Sequence, residues 1–179
     1  MGRRAESCKI KMISNWKRGV NMCRKILVAY FSAGGRTKKV GEALAKMLNA
    51  DTYEITPKIP YTQADLDWNN ENSRCVKEWK DESSRPEIDK PLPNIDQYDV
   101  VFIGYPIWWE ASPNIIYTFL ESWDFSGKTL VPFSTSGGSI RGSSGDHLHK
   151  YCSGNVSWKE GKLLNRTWSA ASWIKKLGI

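Results

Sequence analysis

Cysteine and histidine are scarce in this sequence, and their scarcity excludes several kinds of site. Four cysteines and two histidines occur among 179 residues. The cysteines form no C-x-x-C pair, so zinc and dithiol redox centres lack the spacing they need; they are Cys8, Cys23, Cys75 and Cys152. His147 and His149 stand two apart, on different sides of a predicted solvated helix, which disfavours a shared metal. We therefore expect no metal, and reduced thiols in a cytoplasmic protein.

Long apolar runs are also missing. No stretch approaches the ~18 apolar residues of a membrane-spanning helix. The basic leader, residues 1–22, has no continuous apolar region and is a poor secretory signal. It is either sequence upstream of a start at Met22 or a basic tail with a role of its own.

Positive charge is concentrated in that leader. It holds six of the 26 Lys and Arg residues and one of the 19 acidic residues, which leaves the body, residues 23–179, with 20 minus 18, or +2, against +7 for the whole chain. Since the body is nearly neutral, we expect no nucleic-acid partner and no membrane partner for it.

Apolar runs alternate with helical patterns through the body. Strands are predicted at residues 25–31, 51–56, 99–105, 128–133 and 156–164. Helices are predicted from about Thr37, over 74–82, from Pro113 to Ser122, over 146–151 and over 167–177. This alternation predicts one α/β domain over 23–179, a doubly wound, five-stranded parallel sheet with helices on both faces. Apart from the short helix over 74–82, the polar stretch 57–94 is irregular in this prediction.

The first candidate site is the loop of residues 32–37, after the first predicted strand. Its glycines let the backbone curl closely around a ligand, with successive N–H groups pointing inward. Ser32 and Thr37 add hydroxyls, and the following helix start favours an anion. The loop matches neither G-x-x-x-x-G-K-[ST] nor G-x-G-x-x-G. It predicts a phosphate cradle; the alternative is a glycine turn that only reverses the chain.

Two more loops follow predicted strands. The second candidate loop is 104–110, in which Trp108 and Trp109 are adjacent at the end of the third strand. Neighbouring side chains in an extended segment point in opposite directions, so one indole can pack inward while the other faces a flat aromatic ligand. The alternative is that both fill the gap beneath residues 57–94. The serine- and glycine-rich loop 134–139 supplies hydroxyls and N–H groups suited to a polar ring edge, although such loops are common.

Together the three loops resemble the flavodoxin family. Residues 30–37 carry Y-F-S-x-x-G-x-T and residues 104–109 carry G-Y-P-I-W-W, and the likeness extends over about 24–177, including 85–88. The resemblance implies a flavodoxin-like fold of strand order 2-1-3-4-5 with flavin mononucleotide (FMN) as cofactor. Implied contacts are Ser32, Ala33, Gly34, Gly35, Arg36 and Thr37 for the phosphate, Pro106, Ile107, Trp108 and Trp109 for the isoalloxazine, and Thr135, Ser136, Gly137 and Gly138 for its pyrimidine edge.

Two residues depart from the pattern of that family. Arg36 stands where the family usually has asparagine, and its side chain either pairs with the phosphate or points to water. Glu110 stands where glycine is frequent, and its charge near the ring is expected to lower the reduction potential of the flavin.

The expected function is FMN-based electron transfer with no catalytic acid–base residue. The alternative is an FMN-dependent NAD(P)H:quinone-type oxidoreductase. Two features keep it open: flavodoxin carriers are usually strongly acidic, whereas this body is nearly neutral, and the segment 57–94, with Trp68 and Trp79, is long enough to wall a substrate pocket beside the ring. The expected partner is a redox protein or a small quinone-like acceptor, and the protein is expected to be a monomer or weak dimer. A non-redox module that docks through the leader is the third and weakest class.

Overall fold

The computed structural model describes residues 24–89, 91, 94–138 and 145–179. The predicted leader, Cys8 and Cys23 lie outside the described residues, as do residues 139–144 of the third candidate loop and its continuation.

Strands and helices alternate along the described chain. The strands are β1 (Ile26–Tyr30), β2 (Asp51–Glu54), β3 (Val100–Pro106), β4 (Thr129–Thr135), β5 (Ser157–Trp158) and β6 (Lys162–Leu163). The α-helices are α1 (Arg36–Leu48), α2 (Arg74–Lys80), α3 (Ile115–Glu121) and α4 (Ala170–Leu177). Short 3-10 helices cover Ile95–Gln97, Asp146–Tyr151 and Thr167–Ser169. No helix in these described stretches has the length and apolar character needed to cross a bilayer.

The strands form one parallel sheet in the order β2-β1-β3-β4-β5, with β6 also paired to β4. The predicted order 2-1-3-4-5 is confirmed. Side chains alternate across the sheet: Leu27 and Phe31 belong to the apolar cluster that includes α3, whereas Val28 and Tyr30 pack with α1 and α4. Both faces are therefore covered by helices, as the doubly wound prediction requires.

The fifth position of the sheet differs from the prediction. Instead of one strand over 156–164, two segments of two residues each, β5 and β6, pair with the beginning and the end of β4. The ladder is interrupted opposite Val131 and Pro132.

Pro132 gives the physical reason for this interruption. The Thr129 N–H donates to the Asp99 carbonyl, toward β3, whereas the Leu130 carbonyl accepts from the Lys159 N–H on the other side. Peptide groups of even-numbered residues in β4 therefore face the fifth position. Pro132 is one of them and has no N–H to donate, so a continuous ladder cannot form there.

Candidate functional site

The three candidate loops meet at the carboxyl edge of the sheet, around a cavity of about 480 Å³. Predicted site residues that line it are Ala33, Gly34, Arg36, Thr37, Pro106, Ile107, Trp108, Trp109, Thr135 and Gly137. Ser32, Gly35, Ser136 and Gly138 lie in the same loops beside it. The segment 57–94 adds three wall residues, Leu66, Trp68 and Cys75. Of these, Trp68 was expected only as the wall of a substrate pocket, and Leu66 and Cys75 were not predicted.

The first loop leaves room and polar groups for a ligand. Gly35 takes a φ of 77° directly before α1, a conformation that favours glycine. A Cβ added at Gly34 would find no other atom within 4 Å, so open space lies next to the backbone. The Ser32 hydroxyl is buried and has no hydrogen-bond partner among the described residues. A phosphate oxygen accepting from this hydroxyl would satisfy it, and the loop therefore fits the predicted group.

A buried hydroxyl pair joins this loop to the end of β4. The Oγ1 atoms of Thr37 and Thr135 are 2.8 Å apart, and both residues are only 1% exposed. Each hydroxyl carries one hydrogen, and the pair uses only one of the two. The other hydrogen is available to an acceptor in the cavity.

Arg36 lines the cavity and is anchored within the protein. Its Nη1 donates to the Ser136 carbonyl over 2.5 Å, which braces the first loop against the third. Lys38, which follows shortly after, forms an ion pair with Glu54 at 2.7 Å and is thereby directed toward β2.

The third loop is held by a residue that the sequence analysis missed. The Asn165 side-chain oxygen accepts a hydrogen bond of 2.7 Å from the Ser136 N–H. The Gly138 N–H donates to Ser136 Oγ over 3.1 Å. Two N–H groups predicted to face a ligand thus have internal partners. Asn165 directly follows the predicted strand 156–164, but a lone asparagine there belongs to no motif that would indicate such a role.

The second loop begins in β3 and ends in a tight hairpin turn. Trp108 and Ala111 exchange two backbone hydrogen bonds, of 2.9 and 3.0 Å, and enclose Trp109 and Glu110. Both enclosed residues have positive φ, 45° and 69°. The Glu110 side chain is exposed.

The two indoles point to different neighbours. Trp108 meets the rings of Phe31 and Tyr61 edge-on, with centroids 6.0 and 5.5 Å away. Trp109 instead stacks on Trp79 of α2, with centroids 4.8 Å apart and an interplanar angle of 19°. Both tryptophans contact the irregular segment, and both also line the cavity. The gap-filling alternative therefore describes only part of their surroundings.

A polar cluster fixes the irregular segment beside the cavity. The buried Glu78 carboxylate accepts hydrogen bonds from the Tyr61 hydroxyl (2.5 Å) and from Arg74 Nε (2.6 Å). Burial, reinforced by the neighbouring carboxylate, raises the pKa of Tyr61, so its phenol remains a donor. The Arg74 guanidinium also lies over the Tyr61 ring, 4.1 Å from its centroid.

The histidines lie apart from this cavity. His147 is half-buried, which contradicts the solvated helix predicted for it; its Nε2 lies 3.0 Å from Ser112 Oγ and its ring meets Tyr105 edge-on. Burial lowers its pKa to about 4. His149 is exposed and stacks on Trp158. Within the described residues, no three His, Cys, Asp or Glu side chains are grouped as a metal site would need.

A doubly wound parallel sheet whose carboxyl edge joins an anion cradle to paired indoles defines a mononucleotide-binding α/β protein. The flavodoxin family model matches residues 25–177. The chain belongs to the flavodoxin family.

Solved structures agree with this assignment. A protein from Bacteroides eggerthii assigned as a flavoprotein is 51% identical, with a TM-score of 0.81 over 87% of this chain and 99% of that one. A second, from Bacteroides uniformis, is 42% identical, with a TM-score of 0.78 over 85% and 98%. A Lactobacillus acidophilus flavoprotein in complex with FMN shares the fold at 20% identity, with a TM-score of 0.64 over 84% and 99%. No curated protein matches the chain.

Proposed function

We propose that this protein binds one FMN at the carboxyl edge of its sheet and transfers electrons through it. One observation carries the proposal: a single cavity joins the cradle of the first loop to the indoles of the second. Membership of the flavodoxin family supports FMN as the cofactor. The Lactobacillus acidophilus flavoprotein, which shares the fold, was solved in complex with FMN, and this is consistent with the proposal.

The first loop would hold the phosphate mainly with neutral donors. The orphan hydroxyl of Ser32, the spare hydrogen of the Thr37–Thr135 pair and the N-terminus of α1 all favour an anion. Arg36 adds a positive charge at the cavity wall while it braces the third loop. Binding of this kind depends on main-chain shape more than on formal charge.

The second loop would orient the flat ring and keep water from it. Trp108 is fixed by two aromatic neighbours, and Trp109 by the stack with Trp79. Stacking on such a wall contributes roughly 0.5–1.5 kcal/mol beyond simple burial.

The chemistry of the wall suits electron transfer. FMN, when bound, accepts and donates electrons reversibly. Among the described residues that line the cavity, Arg36 and Cys75 are the titratable ones, and neither a carboxylate nor a histidine is present. These residues would contribute binding, orientation and local charge to the cofactor.

Titration of the apoprotein with FMN, followed by quenching of flavin fluorescence, tests cofactor binding. We expect one site, and weaker binding of riboflavin because it lacks the phosphate that the first loop would hold. Ser32→Ala should weaken FMN binding more than riboflavin binding. A folded protein that binds neither flavin would overturn the proposal.

Trp68 favours a second candidate, an FMN-dependent NAD(P)H:quinone-type oxidoreductase. Its side chain is 69% exposed and yet lines the cavity, where a flat acceptor could rest against it. Consumption of NADPH with a quinone by the holoprotein alone tests this function. Rapid turnover that Trp68→Ala diminishes favours the enzyme, whereas slow turnover without a partner protein favours the carrier.

A further inference from the structure

The turn that carries Trp109 has a backbone that its residues do not favour. Two-residue hairpin turns with positive φ at both positions are usually formed by Asn-Gly or similar pairs. Here the positions are taken by Trp109, with φ 45°, and Glu110, with φ 69°. Left-handed backbone is unfavourable for residues with large side chains. Contacts outside the turn must therefore help to hold it.

Trp79 supplies such a contact from outside the cavity. Its indole lies nearly parallel to that of Trp109, with centroids 4.8 Å apart, and it is 46% exposed. Trp109 is among the residues that line the cavity, whereas Trp79, on α2, is not. A ligand in the cavity would thus contact Trp109, and Trp79 would affect that ligand only by positioning Trp109.

The helix behind Trp79 is itself firmly placed. Asn114 Nδ2 donates to the carbonyls of Glu78 and Asp81, over 2.8 and 2.9 Å, on either side of Trp79 in the chain. Arg74 pairs with Glu78 one turn apart at 2.6 Å. The indole of Trp79 therefore projects from a fixed support.

We propose that Trp79 is a positioning residue for the flavin site, holding the Trp109 indole in place across an unfavourable turn. This inference rests on the proposed binding of FMN in the cavity. Without Trp79, the turn can relax toward negative φ and carry Trp109 out of the wall. Trp108 has separate support from Phe31 and Tyr61 and should stay in place.

The apoprotein provides the first test, independent of any flavin. Stacked indoles give an exciton-coupled circular dichroism signal, which Trp79→Ala should remove and Trp79→Phe should change in form. Trp158→Ala, which breaks the stack between His149 and Trp158, serves as the control. Loss of the same signal in the control would overturn the assignment of that signal to Trp79 and Trp109.

Affinity for FMN and the visible circular dichroism of bound flavin provide the second test. Trp79→Ala should raise the Kd about three- to tenfold and alter the dichroism, because one wall of the ring is displaced. Trp79→Phe keeps a ring on α2 and should recover most of the affinity. A purely structural role for Trp79 would lower stability without changing the signal of the bound flavin.

Glu110 allows the strain itself to be tested. Glycine accepts positive φ freely, so Glu110→Gly in the Trp79→Ala background should restore a substantial part of the lost affinity. Glu110→Gln removes the same charge but keeps the side chain, and should restore none. Equal rescue by both substitutions would show that charge, not backbone, is responsible, and would overturn the inference.

The two proposals fail in different ways. If the wild-type protein binds no FMN, the proposed function fails, and the apoprotein dichroism still reports on the indole pair. If the wild type binds FMN and Trp79→Ala binds it equally well with unchanged dichroism, the positioning role alone is wrong.

Discussion

At the scale of single residues, Gly104 shows how closely the side chains of neighbouring strands pack. Gly104, in the middle of β3, lies beneath the Phe133 ring, and a Cβ added there would be 2.1 Å from Phe133 Cζ. No real side chain tolerates that distance, so a ring that closes the core over β4 would have to shift. The glycine is needed for packing, not for an unusual turn.

Gly104→Ala should therefore destabilise the apoprotein by about 1–3 kcal/mol, measured by urea unfolding. Gly34→Ala is the matched control, because an added Cβ there meets nothing within 4 Å. It should leave the free energy of unfolding unchanged or slightly higher, while weakening FMN binding by filling the cradle. Equal loss of stability in both variants would contradict this account.

The buried hydroxyl pair makes a second prediction at this scale. Thr37→Val removes one hydroxyl and leaves that of Thr135 buried without its partner, at a cost of about 1–3 kcal/mol. FMN binding should weaken as well. Thr37→Ser keeps the hydroxyl and should retain most of both properties. Comparison of urea unfolding and FMN titration for the two variants checks the prediction.

Sequence patterns identified the loops of this site better than its internal contacts. The glycine loop and the paired tryptophans follow directly from strand-end motifs. The Arg36–Ser136 brace and the support of Ser136 by Asn165 join residues far apart in the sequence. Such pairs depend on how the strands are ordered and on side-chain direction, which no local pattern contains.

At the scale of elements, too, local sequence patterns were more informative than contacts between distant segments could be. Continuous apolar runs predicted β1, β3 and β4 closely, because interior parallel strands are buried on both faces and therefore have apolar residues at successive positions. The fifth strand was predicted as continuous and is divided. Pro132 was visible in the sequence, but its consequence depends on which side of β4 its missing N–H faces.

Helix α2 should respond to a single distant side chain. Asn114→Ala removes both hydrogen bonds to the carbonyls of Glu78 and Asp81, and we expect a loss of about 1–2 kcal/mol. Hydrogen exchange should accelerate across residues 74–80 before it does in β3. Exchange that accelerates uniformly over the sheet would mean that Asn114 acts on the core and not on α2.

At the scale of the whole molecule, stability should depend on pH through His147. Burial lowers its pKa to about 4, and Lys150 and His149 act in the same direction while Asp146 opposes them. In the unfolded chain, the imidazole of His147 takes up its proton near pH 6.5, the ordinary pKa of histidine. Between about pH 4 and 6.5 the unfolded chain therefore binds more protons than the folded protein. Stability should accordingly fall as the pH drops through that window and should be retained above it.

We expect this effect to reach about 1 kcal/mol between pH 7 and pH 5, after allowance for partial solvent access. His147→Gln should reduce the difference in free energy of unfolding between the two pH values. His149→Gln, at an exposed position, should keep the wild-type difference. A variant at position 147 with an unchanged pH dependence would assign the effect to other groups.

The divided outer strand also bears on how the protein behaves among copies of itself. An extended segment of another molecule adds to a sheet by continuing a long, regular row of free peptide groups. At the fifth position of this sheet, Pro132 interrupts the ladder, so that the outer strand consists only of β5 and β6, with two residues each. Very short edge strands are one way in which proteins discourage edge-to-edge aggregation. The missing N–H of Pro132, inside β4, thus keeps the neighbouring edge strand short and disfavours pairing with another molecule there.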